Sequence, residues 1–238
     1  MGSKSQRESL RRPRRPAVGS VQIAASITCL DFSRLTRQFE DLEMAGVRRL
    51  HLDFADGRFV PNFHLGLEIF SLLPDRSKFV RECHLMIQDP LHLLHLFTGN
   101  ADVVIFHWEA AGSPSECIEQ IRSAGARPGV ALGPHTPVSV LMPILKLIDL
   151  VVIMTVETGF SGGQFIPATV SKVGALRQAA SAAGIALDIE VDGAINSRTI
   201  PDLARAGANV LVGGSSGLFT GRAISEEVSG MLASAHQR

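Results

Sequence analysis

No stretch of this sequence is apolar for long enough to cross a bilayer, which takes about 18 residues in a row. The greasiest run, residues 144–156, is interrupted by Lys146 and Asp149. Cysteine is scarce: Cys29, Cys83 and Cys117 lie far apart with no CxxC pair. That excludes a disulfide framework and fits a reducing, cytoplasmic compartment. Net charge is absent as well, since 23 Lys and Arg balance 23 Asp and Glu. The balance is uneven, because residues 1–20 hold six basic groups against Glu8, leaving the remainder at −5. Residues 1–20, without aromatics or periodicity, are read as a basic disordered tail ahead of one domain at 21–238. The tail lacks the apolar core of a signal peptide, and Gln6 spoils a myristoylation match. A mildly acidic body argues against nucleic-acid binding. Neither a nucleic acid nor a membrane is expected as a partner.

What is present is a recurring unit. With 45% hydrophobic and 19% charged residues there is ample material for a core. From Val21 onward a short β-branched run, a polar loop, an amphipathic stretch and a glycine follow one another repeatedly. Strands are expected at residues 22–27, 49–53, 79–85, 102–106, 128–132, 150–154, 186–191 and 209–212. Helices are expected at 34–45, 65–73, 90–97, 115–124, 138–145, 170–183, 200–206 and 224–233. Many strands read as continuous apolar runs, as parallel strands covered on both faces do. Gly46, Gly125, Gly184 and Gly207 each follow an alanine where a left-handed helix cap is wanted. Eight such units predict an α/β fold, a single-domain (β/α)8 TIM barrel. An open doubly wound sheet would want a glycine-rich loop after the first strand, and SITCLDFS (residues 26–33) has no glycine.

Chemistry in such barrels belongs at the carboxyl ends of the strands. Ser26 stands there on strand one, His51 and Asp53 on strand two, and His84 on strand three. His107 and Glu109 follow on strand four, Met154 on strand six, Asp192 on strand seven and Gly213-Gly214-Ser215 on strand eight. In a strand, His51 and Asp53 share one face. Two imidazoles and two carboxylates make a four-ligand set for one divalent metal ion, and such ligands suit zinc, iron(II), manganese or cobalt alike. The glycine runs GFSGG (159–163) and GGSSG (213–217) could turn backbone amides toward a phosphate.

ASI at 25–27, HLDFADGRFVPN at 51–62, CHLM at 83–86, the GF–GG loop, EVDG at 190–193 and GGS at 213–215 resemble ribulose-phosphate 3-epimerases over residues 21–219. TCLDF, IMTV and GSSGLF look somewhat more like the allulose-6-phosphate 3-epimerase branch. The resemblance implies a metal held by His51, Asp53, His84 and Asp192, with Asp53 and Asp192 doubling as catalytic acid and base. It implies substrate contacts from Ser26, His84, Met86, Met154, Gly193 and Ala194, and a phosphate seat at Gly159, Phe160, Ser161, Gly162, Gly214 and Ser215. The expected reaction is D-ribulose 5-phosphate to D-xylulose 5-phosphate through an enediolate; D-allulose 6-phosphate to D-fructose 6-phosphate is the alternative. A barrel that binds a sugar phosphate without turning it over is the third reading. Decarboxylases and aldolases on the same barrel would want a catalytic lysine, which the strand-two motif does not offer. The expected partner is a small-molecule sugar phosphate, and the expected assembly is a homo-oligomer. The chief departure from the family pattern is Ala55 where methionine is usual, which should open space or alter the dielectric beside the metal.

Overall fold

The computed structural model describes residues 20–159 and 162–237. The basic tail therefore lies outside the described residues. Eight strands form in the order read from the sequence: β1 (Gln22–Ser26), β2 (Arg49–Ala55), β3 (Val80–Met86), β4 (Val103–His107), β5 (Arg127–Leu132), β6 (Leu150–Met154), β7 (Asp188–Asp192) and β8 (Val210–Gly213). Each pairs in parallel with its sequence neighbour, and β1 closes the ring on β8 with Ala25 opposite Gly213. The result is a closed (β/α)8 barrel in a single domain.

Six α-helices pack outside it: α1 (Leu35–Met44), α2 (Leu94–Thr98), α3 (Pro114–Ser123), α4 (Thr169–Ala182), α5 (Ile200–Ala206) and α6 (Ile224–Ala235). Two of the expected helices are not α-helical. Residues 65–73 hold only the 3₁₀ turn Leu67–Ser71, because Gly66 and Pro74 leave too short a run for cooperative helix formation. Residues 138–145 break into 3₁₀ turns at Val138–Leu141 and Leu145–Leu147, as Pro143 removes a donor and clashes with the preceding turn. The four glycines expected to cap helices all have positive φ, from +66° to +112°. Among the described residues no helix is long and apolar enough to cross a membrane.

Alternation along each strand divides the core in two. Leu50, Leu52, Phe54, Leu85, Phe106, Val151, Ile153 and Val191 join the large cluster that also holds Phe39, Leu42, Val173, Leu176 and Leu203 of the outer helices. Each such side chain stabilises the fold by roughly 1.5–3 kcal/mol on burial. Cys83 belongs to this outer layer and is fully buried, so it is packing rather than a ligand. The other parity forms separate interior clusters: Val103, Ile105, Ala131, Leu150, Val152 and Met154 on β4–β6, and Ala24, Val210 and Val212 on β1 and β8. On β2, β3 and β7 the same parity carries polar groups: Arg49, His51, Asp53, Glu82, His84, Glu190 and Asp192.

Candidate metal centre and substrate cavity

Asp53 and His84 are register partners on adjacent strands, and Asp192 ends β7 nearby. His84 Nδ1 lies 2.9 Å from Asp53 Oδ1 and 3.2 Å from His51 Nε2. His51 Nε2 lies 3.2 Å from Asp53 Oδ1. Asp192 Oδ2 completes the group, 3.8 Å from His51 Nε2 and 3.9 Å from His84 Nδ1. One donor atom from each of the four residues falls within 4.8 Å of every other. Four ligands about 2.1 Å from a shared tetrahedral ion would stand roughly 3.4 Å apart, so the spacing suits a zinc-sized cation.

Charge makes the same point. Beneath the four lie Glu82 and Glu190, both fully buried, with Asp188 beside them. Arg49 is the buried guanidinium among them, paired with Glu82 and with Asp188 at 3.2 Å, and Arg127 reaches Asp188 from outside at 4.0 Å. His51 Nδ1 sits 2.7 Å from Glu190 Oε1, an ion-pair distance without hydrogen-bond alignment. Burial works against a charged His51, but Asp53 and Glu190 outweigh it and raise its pKa well above the ordinary value. Burial likewise opposes ionisation of Asp53, yet His51 and His84 hold it low. Asp192 is pushed up to about 6 by burial, with His51 opposing and Asp53 adding to the rise. Asp53, Asp192, Glu82 and Glu190 thus crowd together with Arg49 as the guanidinium among them. Burial pushes Glu82 up to about 7, as expected of a site with acidic groups in excess that a divalent cation at the four-donor point would offset.

Outward from this point opens a cavity of about 330 Å³. It is lined by nine of the expected residues: Ser26, Met86, Met154, Gly159, Gly162, Gly193, Ala194, Gly214 and Ser215. Asp53 and Asp192 also face it, whereas His51 and His84 are fully buried behind them. Ser26 Oγ lies 3.4 Å from Asp53 Oδ2. Phe160 and Ser161 lie outside the described residues. Ala55 does not line the cavity; it pairs in register with Met86 at the end of β2.

The cavity rim is shaped by backbone. Gly193 has φ +111° and presses on Val156, where a Cβ would come within 2.5 Å of a methyl carbon. Thr155 ties this turn down, its amide donating to Asp192 O at 2.7 Å. The loops after β7 and β8 meet closely: Ser216 Oγ donates to the Ile195 carbonyl oxygen at 3.3 Å, and a Cβ on Gly217 would run into that same oxygen.

Two placements were not anticipated from sequence, and a third, at His107, was expected at the strand end but without its partners. His64 lines the cavity and stands 3.4 Å from Gly159 O, while Asn62 Nδ2 donates to the same carbonyl at 3.2 Å. The second is the Arg49–Glu82–Glu190 group, whose signal was a polar residue two places before each ligand in RLHLD, ECH and EVD. The third is the environment of His107, which is fully buried against His84 with its pKa lowered to about 4 by burial. Its neighbour Glu109 is held at about 2, where burial is outweighed by hydrogen bonds from His107 and Thr136.

A family model described as the ribulose-phosphate 3 epimerase family matches residues 22–219. A ribulose-phosphate 3-epimerase of Treponema pallidum is 40% identical over 203 residues, covering 85% of this chain and 93% of its own. One from Eremothecium gossypii is 40% identical over 206 residues, covering 82% and 84%. Among solved structures, a 3-hexulose-6-phosphate synthase superposes with a TM-score of 0.63 at 15% identity over 90% of this chain and 99% of that one, a likeness of fold alone.

Proposed function

The chain belongs to the ribulose-phosphate 3-epimerase family and is an epimerase of the isomerase class, and from that premise we propose that it interconverts D-ribulose 5-phosphate and D-xylulose 5-phosphate at the four-donor centre. The observation that carries this reading is the convergence of His51, Asp53, His84 and Asp192 at the base of a glycine-rimmed cavity.

Inverting a carbon beside a carbonyl requires a proton to leave one face and another to arrive on the opposite face. Asp53 on β2 and Asp192 on β7 reach the cavity base from separate strands, so one carboxylate takes the C3 proton and the other, protonated, returns one. Their roles exchange with the direction of reaction. A divalent ion (zinc, iron(II), manganese or cobalt) held by the four residues would stabilise the enediolate oxygens by several kcal/mol. Ser26, His84, Met86 and Met154 orient the sugar and exclude water around C3. The phosphate rests at the rim on Gly159, Gly162, Gly193, Ala194, Gly214 and Ser215, where backbone dipoles serve and no lysine or arginine lines the cavity among the described residues.

The test is C3-hydrogen exchange followed by NMR in heavy water, with ribulose 5-phosphate and allulose 6-phosphate supplied side by side and the metal content measured. Exchange is expected with the pentulose, lost on chelation and lost in a folded Asp192→Asn variant. Undiminished turnover by that variant would remove the acid/base assignment, and faster turnover of the hexulose would change the substrate.

A further inference from the structure

A file of side chains leads from His84 away from the metal-ligand cluster. His84 Nε2 lies 2.9 Å from Nε2 of His107, and His107 Nδ1 lies 3.3 Å from Glu109 Oε2. Both imidazoles are fully buried. The Phe59 ring packs on His107 at a centroid distance of 4.8 Å and restrains its plane. At the outer end, the second oxygen of Glu109 accepts the Gly133 amide at 2.8 Å and the Thr136 hydroxyl. Lys172 of α4 in turn donates to the carbonyls of Gly133 and Pro134, at 2.6 Å and 3.2 Å.

Counting protons along this file gives it a direction. His84 Nδ1 faces Asp53, His51 and Asp192, so as a ligand it must present a lone pair, and its one proton then sits on Nε2. Nε2 of His107 must receive that proton's hydrogen bond. The proton of neutral His107 is therefore on Nδ1, aimed at Glu109. Glu109 is the one member of the file that accepts at both ends: from His107 on one oxygen, from Gly133 and Thr136 on the other. Reversed, the same file would place a proton on His84 Nδ1 and leave three ligands for an ion.

We propose that His107 and Glu109 are positioning residues whose hydrogen-bond polarity fixes the tautomer of His84, so that Nδ1 is the atom offered to the metal. The proposal rests on the metal-centre reading above. Outer partners that orient a ligand histidine are typically worth about 10–100-fold in metal affinity.

The test compares the full-length parent with Glu109→Gln, His107→Phe and His107→Gln. Zinc affinity is measured by competition with a chromophoric chelator. The His107 tautomer is read in the zinc-loaded protein from ¹⁵N-histidine NMR, and folding is checked by circular dichroism. In the zinc-loaded parent, His107 should carry its proton on Nδ1, facing Glu109. Glu109→Gln keeps shape but forces its amide NH₂ against either His107 Nδ1–H or the Gly133 N–H; affinity should fall about 10–100-fold and the His107 tautomers should mix. His107→Phe removes the acceptor and should lose affinity to a similar degree. His107→Gln, whose amide oxygen reaches the place of Nε2, should stay within about threefold of the parent and remains informative if the phenylalanine variant does not fold. A proton on Nε2 of His107 in the zinc-loaded parent overturns the proposal, as does parental zinc affinity in Glu109→Gln. A parent that takes up no zinc overturns the metal-centre reading with it; a parent that binds while Glu109→Gln matches it overturns the relay alone.

Discussion

The two halves of the barrel interior are built on opposite terms. On β4–β6 the inward positions Val103, Ile105, Ala131, Leu150, Val152 and Met154 are apolar and need only shape to be satisfied, with His107 the buried polar exception at the end of β4. On β2, β3 and β7 they are Arg49, His51, Asp53, Glu82, His84, Glu190 and Asp192, and several bring charge into a space closed to water. Burying such groups costs several kcal/mol per ion before pairing returns any of it. The apolar half is where the barrel gains stability, and the polar half is where it gives some up for chemistry. What the contrast teaches is that the metal-ligand candidates sit on one wall of the barrel, while the opposite wall is mainly support and reaches the site only at its strand ends, through His107 and Met154.

Substitutions on the two walls should therefore separate activity from stability. The largest effect is expected from Asp53→Asn, which should lower kcat by about 10³-fold or more while thermal melting shows an intact fold. Next comes Arg49→Met, which strands Glu82 and Glu190 without their cation; urea titration should show a loss of about 3–5 kcal/mol, partly recovered when Glu82→Gln is added. Ile105→Val on the supporting wall should cost only about 0.5–1.5 kcal/mol and leave kcat within twofold, roughly speaking. A large kinetic effect there would break the comparison.

The smallest effect concerns acid. Glu109 is held at about 2, below its ordinary 4.5. A depressed carboxylate contributes stability that is fully present above its unfolded value and lost as pH falls through its folded value. The stability difference between the parent and Glu109→Gln should thus be flat from about pH 7 to 5 and close between about pH 4.5 and 2. A difference that grew in acid would contradict the environment described for this side chain.

All eight strands were legible because parallel strands covered on both faces show as apolar runs, and their ends aligned the four donors before any coordinates did. The helical layer was less so. The pattern at 65–73 and 138–145 has helical spacing, but Gly66, Pro74 and Pro143 act on backbone conformation, which spacing does not report. In the site, Arg49, Glu82 and Glu190 were readable by parity, two places before each ligand, yet charges at strand beginnings ordinarily meet solvent. That they meet one another follows from ring closure, a long-range fact. His64 carries no periodic signal at all; it reaches the cavity because Asn62 fastens its loop to Gly159.

The contact at Gly217 has an evolutionary reading. Because the β7 and β8 loops touch backbone to backbone there, a single added methyl would wedge them apart and carry Gly193 and Gly214 with them. The two loops are free to drift in their outer side chains only as a joined pair. One hydrogen atom in place of a carbon thus keeps both halves of the proposed phosphate seat in common alignment.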